Sequence, residues 1–280
     1  MTKKILLLGG SGYLGTAIAE KFAGTSDYSI TIGDLSAPVA GGNFLKMDLL
    51  EKDIFQNSVN EFDLIINCTG QVTSPINTCF NINTMGTDNL VDAVKAAHKQ
   101  LLHISTVAVY GTCSYAYEKS QVNPETPYAA CKAFTEYKIK NALPLEAFCI
   151  LRLTNLYGGK QEKGLFAYLL KSYKSGKELS FNNNGLLLRY FLHVNDCAEA
   201  VLSAVRNNLS GIFNVPAIDK YNILEFIELI ETTCGIKFKT SFDKNNAVEN
   251  IDFINFSAFE KATGFVPKLK LIDFIKQTFV

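Results

Sequence analysis

The chain has 280 residues, 48% of them hydrophobic, and its 27 lysines and arginines balance 27 aspartates and glutamates. That balance leaves no electrostatic footprint for nucleic acid or an anionic membrane surface, and no apolar stretch approaches the ~20 residues of a membrane span. Seven scattered cysteines, never in C-x-x-C spacing, read as reduced core thiols of an intracellular protein. The lysines and apolar run at the start do not read as a secretory signal, because glycines follow Leu8 and no small-residue cleavage site appears. A cytoplasmic location is expected.

Lys3 to Leu8 reads as a buried strand. It runs into Gly9-Gly10-Ser11-Gly12-Tyr13-Leu14-Gly15, where Gly10, Gly12 and Gly15 satisfy the G-x-G-x-x-G dinucleotide pattern and Gly9, Gly12 and Gly15 a three-residue spacing. Such a loop must turn tightly, admit a pyrophosphate to backbone N–H groups and bring a helix close to the strand; each task penalises a Cβ. The helix start adds unpaired N–H groups and positive dipole character. The pyrophosphate is therefore assigned to the backbone around Gly9, Gly12, Tyr13 and Leu14. After a helix over Thr16 to Ala23, the alternating run Tyr28 to Gly33 reads as a strand ending on Asp34. Asp34 lies near the spacing expected for a carboxylate on the adenosine ribose. It accepts bonds from the ribose hydroxyls and repels a 2′-phosphate, which predicts NAD over NADP.

Asn43 to Asp48 forms a third strand-like run. Asp48 either meets the adenine amino group or caps a helix from Leu49. Asp63 to Gly70 is a fourth strand ending in small polar residues. Strands and helices in this alternation predict a doubly wound parallel α/β sheet. Residues 80–97 read as a helix with an apolar stripe of Leu90, Val94 and Ala97 and a polar entry of Asn83, Thr84 and Thr87. Leu101 to Ile104 is a fifth strand leading into Ser105-Thr106. Tyr128 and Lys132, at i and i+4, share a helix face; an ammonium there lowers the phenol from its ordinary pKa of ~10 and makes it a usable proton donor and acceptor. His103 and His193 fall in strand-like runs and read as core or half-buried residues. No Cys/His set has metal spacing, so no metal is expected. The expected division is a dinucleotide-binding domain of residues 1–158 plus 188–215, and a smaller substrate lobe of 159–187 and 216–280 with a turn at Asn182 to Gly185.

In this order the motifs resemble those of the extended short-chain dehydrogenase/reductases, the sugar-nucleotide epimerases, dehydratases and ketoreductases. They are Gly9-x-x-Gly12-x-x-Gly15, Asp34, Asp48, Asn83-x-x-Gly86-Thr87, Ser105-Thr106-x-x-Val109-Tyr110-Gly111 and Tyr128-x-x-x-Lys132. Leu151-Arg152-x-x-Asn155-x-Tyr157-Gly158, Arg189-x-Phe191-x-His193-Val194-x-Asp196, Phe213-Asn214-Val215 and Gly264-Phe265-x-Pro267 follow. The resemblance implies a Rossmann fold with a C-terminal substrate lobe. It makes Tyr128 the acid/base, sets Lys132 on the nicotinamide ribose, points Thr106 at the reacting oxygen and puts Ser105 in the cofactor site. Asn83, Asn155 and Arg189 would bind the nucleoside-diphosphate sugar; an arginine suits a diphosphate because its fork binds two oxygens.

Four positions depart from the family pattern. Val107-Ala108 stands where 4,6-dehydratases carry Asp-Glu, which removes the catalysts of β-elimination. Leu153 replaces a frequent proline, and Tyr190 a frequent aspartate. The implied activity is hydride transfer at C4 of a nucleoside-diphosphate sugar, by a 4-epimerase or a 4-ketoreductase acting as a homodimer. A non-catalytic NAD-binding sensor or scaffold, or a reductase of a non-sugar carbonyl, would need fewer of these residues together.

Overall fold

In the computed structural model the described residues are 2–39, 41–70, 74–243 and 249–279. In chain order the first part comprises β1 (Lys3–Leu8), α1 (Tyr13–Ala23), β2 (Tyr28–Asp34), β3 (Asn43–Lys46), α2 (Lys52–Ser58), β4 (Leu64–Asn67), α3 (Ile76–Asn81) and α4 (Thr87–Ala96). Next come β5 (Gln100–Thr106), β6 (Cys113–Ala116), α5 (Pro127–Ala142), β7 (Phe148–Leu153) and β8 (Asn155–Tyr157). The rest is α6 (Leu165–Ser175), β9 (Leu179–Phe181), β10 (Leu188–His193), α7 (Val194–Arg206), β11 (Gly211–Asn214), β12 (Asp219–Asn222), α8 (Ile223–Cys234), β13 (Thr240–Phe242), β14 (Ile251–Ile254), α9 (Ser257–Thr263) and α10 (Leu271–Thr278).

Seven strands form one parallel sheet in the order β11-β7-β5-β4-β1-β2-β3. Ile5, Leu6, Leu7 and Leu8 are all buried, as a strand covered by helices on both faces requires. One core packs α1 and α7 on one face; the other packs α2, α4 and α5 on the opposite face. The chain leaves β1 towards β2 and β3, then returns to place β4 on the other side of β1. This reversal opens a crevice beyond the carboxyl ends of β1 and β4, where doubly wound sheets hold their ligands.

Three local differences from the sequence expectation have identifiable causes. The helix expected over 80–97 is interrupted by a π turn, Ile82–Gly86, between α3 and α4. Within it Asn83 donates to the carbonyls of Cys79 (2.8 Å) and Gly70 (3.1 Å), pinning the turn to the end of β4. Secondly, α2 begins at Lys52 and not at Leu49, because Asp48 Oδ1 accepts from the Leu50 N–H at 2.9 Å and closes a turn first. Thirdly, residues 188–193 do not enter the large sheet. β10 pairs with β8 and β12, and only β11 returns, beside β7. A single residue, Thr154, separates β7 from β8, so the chain passes directly from the large sheet into the small one.

The second part has its own core, in which Tyr157, Phe166, Phe191, Phe226, Ile275 and Phe279 are buried together. It is tied back by Asp196, whose Oδ2 accepts from the N–H groups of Lys268 and Leu269, and by the Tyr13 hydroxyl, which donates to the Gly158 carbonyl. Cys68, Cys79, Cys131, Cys149 and Cys197 are buried free thiols. Among the described residues no helix is long and apolar enough to cross a membrane, and no group of three or more His, Cys, Asp or Glu is placed to hold a metal ion.

Candidate active site

The glycine loop leaves β1 with Gly9 at φ +75°, a conformation that disfavours any side chain. The N–H of Gly12 donates to the Gly9 carbonyl at 3.1 Å, and α1 starts at Tyr13. A Cβ at Gly15 would overlap the Gly9 carbonyl oxygen and the Gly10 backbone, so only glycine lets α1 approach the loop this closely. The result is a cradle of backbone N–H groups at a helix N-terminus, fitted to a pyrophosphate. Leu14 is buried beneath it. Asp34, the last residue of β2, lies beside the cradle: Oδ2 accepts from the Ser11 N–H (3.0 Å) and Oδ1 from the Leu35 N–H (2.7 Å). A carboxylate oriented in this way at the loop edge suits a ribose diol. Asp48 lies further along the same sheet edge, half-buried, with Oδ1 on the Leu50 N–H.

α5 carries Tyr128 and Lys132. Thr126 caps it by accepting from the Ala129 N–H, and Pro127 occupies the first turn, where its missing N–H costs nothing. Tyr128 is half-buried and Lys132 has no exposed surface. Lys132 Nζ lies 3.4 Å from both the Thr69 carbonyl and His103 Nε2, which puts it just beyond the carboxyl end of β4 and beside the middle of β5. Burial pulls Lys132 down from 10.5 to about 8, against the opposing pull of Cys68, Glu136, Cys79 and Cys131. Thr106 ends β5, partly accessible, its Oγ1 accepting from the Ala108 N–H at 3.2 Å.

Ser105 and Asn83 are committed inward. Ser105 Oγ donates to Glu136 Oε1 at 2.6 Å, and Glu136 takes Arg152 Nε (2.9 Å) and Nη2 (2.6 Å). Arg152 also lies over the Tyr110 ring, 4.6 Å from its centre. Asn83 is buried with its amide on Cys79 and Gly70, so both residues shape the wall behind the crevice. On the lobe side, Asn155 is exposed, donating to the Tyr190 carbonyl at 3.3 Å. Arg189 stands on the neighbouring β10 and donates from Nη1 to the carbonyls of Leu188 and Glu249.

The structure thus gathers Gly9, Gly12, Tyr13, Leu14 and Asp34 beyond the carboxyl ends of β1 and β2, sets Thr106 at the carboxyl end of β5, and brings Lys132, on the helix that also carries Tyr128, to Thr69 beyond β4. Sequence reading placed His103 in the core, where it lies, and quoted Arg152 only within a motif; it gave neither of them, nor Asn67 nor Glu136, a place in the site. Glu136 had a signal: it continues the Tyr128 and Lys132 face at the next i+4 step. His103 had a weaker one, two residues before Ser105 and therefore on the same face of β5.

The sequence model of the family described as NAD dependent epimerase/dehydratase matches residues 5–216. A putative UDP-glucose 4-epimerase of Methanocaldococcus jannaschii is 25% identical over 295 residues, covering 98% of this chain and 96% of the relative. The CDP-paratose 2-epimerase of Salmonella typhi is 24% identical, covering 99% and 98%. Among solved structures, the UDP-glucuronic acid 4-epimerase of Bacillus cereus, in complex with UDP-glucuronic acid and NAD, has the same fold. Its TM-score is 0.85 at 22% identity, covering 99% of this chain and 98% of that one.

Proposed function

The chain belongs to the NAD dependent epimerase/dehydratase family, and we propose that within it the protein transfers a hydride at C4 of a nucleoside-diphosphate sugar, as a 4-epimerase or a 4-ketoreductase. NAD, the cofactor of the family, supplies hydride acceptance and return when bound. The backbone of Gly9 to Leu14 holds the pyrophosphate and Asp34 the adenosine ribose. Tyr128 takes the proton of the sugar hydroxyl and gives it back, with Thr106 orienting the reacting oxygen and Lys132 beneath the nicotinamide ribose. Asn155 and Arg189 receive the diphosphate, while Ser105 and Asn83 support the wall of the cofactor and sugar site.

The observation that supports this reading most is α5: Lys132 reaches the Thr69 carbonyl beyond β4 and His103 on β5, Tyr128 precedes it by one helical turn, and a cradle fitted to a dinucleotide follows β1. Val107-Ala108 occupies the turn after Thr106. With no acid pair there, the reading favours hydride transfer without elimination. Relatives and fold neighbours named as 4-epimerases support the C4 assignment.

The test is turnover of a panel of nucleoside-diphosphate sugars followed by proton NMR of the sugar. Tyr128→Phe is expected to lose about 10²- to 10⁴-fold in rate; unchanged turnover overturns the mechanism. NAD released on denaturing the purified protein identifies an epimerase, and dependence on added NADH identifies a ketoreductase.

A further inference from the structure

Behind Lys132, four residues close a ring of hydrogen bonds. Asn67 and His103 are direct partners in the β4–β5 register. Asn67 Oδ1 accepts from both the N–H (3.0 Å) and the hydroxyl (2.7 Å) of Thr69. A backbone N–H can only donate, so Oδ1 must face Thr69 and Nδ2 must face His103. Asn67 Nδ2 lies 3.1 Å from His103 Nδ1, which therefore accepts. The ring is completed by His103 Nε2 to Lys132 Nζ and by Lys132 Nζ to the Thr69 carbonyl. Asn67, His103 and Lys132 are 3%, 1% and 0% exposed, leaving water no place to repair a mismatch.

With its acceptor nitrogen turned to Asn67, a neutral His103 carries its proton on Nε2. That N–H points at Lys132 Nζ. An amine can accept it; an ammonium has no lone pair and would set donor against donor. We infer that His103, held as the Nε2–H tautomer by Asn67, makes Lys132 a titrating amine and not a permanent ammonium. Burial keeps His103 from charging and moves its pKa well below 6.5, with the Lys132 charge acting the same way. The same burial brings Lys132 down to about 8, and the donor from His103 lowers it further. The other titratable groups around Nζ are Cys68 after β4, Cys79 on α3, and Cys131 and Glu136 on α5. Of these, the Cys68 thiol is pushed up to about 12 and Cys131 to about 11 by burial, so neither offers Nζ a neutralising charge at ordinary pH.

The consequence for chemistry rests on the hydride-transfer reading. Lys132 sits one helical turn after Tyr128 on α5, and its charge decides how far the phenolate is favoured: the ammonium lowers the phenol pKa and the amine does not. His103 acts through Lys132 and is a positioning residue: it sets how much of that charge is present at a given pH. Asn67→Asp inverts this influence. The carboxylate still accepts from Thr69 and now selects the other tautomer, accepting a hydrogen bond from Nδ1–H, which turns a lone pair at Nε2 towards Nζ and favours the ammonium.

The tautomer is read directly from long-range proton–nitrogen spectra of the uniformly 15N-labelled protein as purified. Only three histidines are present, and His103→Gln assigns the signal by its loss. The expected result is a protonated Nε2 and an unprotonated Nδ1, unchanged between about pH 6 and pH 9. A protonated Nδ1, or an imidazolium near neutrality, overturns the inference whatever the substrate proves to be. In Asn67→Asp the proton moves to Nδ1, and the alkaline limb of the turnover profile rises by about one pH unit or more. His103→Leu raises the same limb by removing the Nε2 donor. A limb unmoved in both variants, with the wild-type spectrum as expected, removes the catalytic role of the ring.

Discussion

Replacing Glu136 by glutamine removes one charge from a pair that has almost no contact with water. Glu136 and Arg152 are each 1% exposed. Three bonds converge on the carboxylate: Arg152 Nη2 at 2.6 Å, Arg152 Nε at 2.9 Å and Ser105 Oγ at 2.6 Å. Unit charges about 4 Å apart attract by about 4 kcal/mol at an effective dielectric of about 20. The desolvation of both ions offsets much of that in the intact pair. In Glu136→Gln it does not, because Arg152 stays buried and charged without its counter-ion: burial opposes the guanidinium charge, and in the intact pair Glu136 and Tyr110 outweigh it. The expected loss is about 3–5 kcal/mol of stability, measured as the shift in urea unfolding midpoint followed by circular dichroism. Glu136→Leu combined with Arg152→Met removes both ions and is expected to be more stable than either single change. A loss below about 1 kcal/mol in Glu136→Gln would put the pair among surface ion pairs and refute the reasoning that its burial makes the lost charge costly.

Gly15→Ala sets a methyl group against the Gly9 carbonyl; calorimetry should find NAD affinity lowered by at least about tenfold with the fold intact by circular dichroism. Unaltered affinity would mean that the loop tolerates the displacement and that the cradle is misplaced. Asp34→Asn keeps the shape and removes the charge that opposes a 2′-phosphate, so the NAD-to-NADP affinity ratio should fall by about tenfold or more; a constant ratio counts against Asp34 as the discriminating residue. Lys132 binds protons less readily in the folded chain, at about 8, than at its ordinary value of 10.5. The unfolded chain therefore holds more protons between those values, and stability rises with pH across that window, by up to about 3 kcal/mol. Lys132→Met should abolish the rise, and a parallel pH dependence of unfolding in the two proteins would show that Lys132 is not its source.

Local chemistry carried much of this fold. The run Ile5 to Leu8, the glycine spacing and Asp34 each express a requirement met within a few residues: a strand buried on two faces, a loop that excludes Cβ atoms, a carboxylate at a strand end. The Tyr128 and Lys132 pair was legible for the same reason, since four residues along a helix is a distance the chain itself sets. Asn83 was legible as a polar anomaly in a helix entry, but not as the pin of a π turn, because its partner Gly70 arrives from the end of β4.

What remained hidden depends on which strands become neighbours. β4 and β5 lie side by side, so Asn67 and His103 meet across a parallel register that no spacing in the sequence encodes. Lys132 then reaches the same point from α5. His103 in isolation is an ordinary strand histidine; only the fixed orientation of the Asn67 amide assigns its proton, and only burial makes that assignment matter. The sequence by itself determined which candidate groups the chain carries and that they fall at strand ends and on one face of a helix. Tertiary structure decided their protonation, because charge and tautomer answer to water exclusion and to hydrogen-bond partners brought from distant parts of the chain.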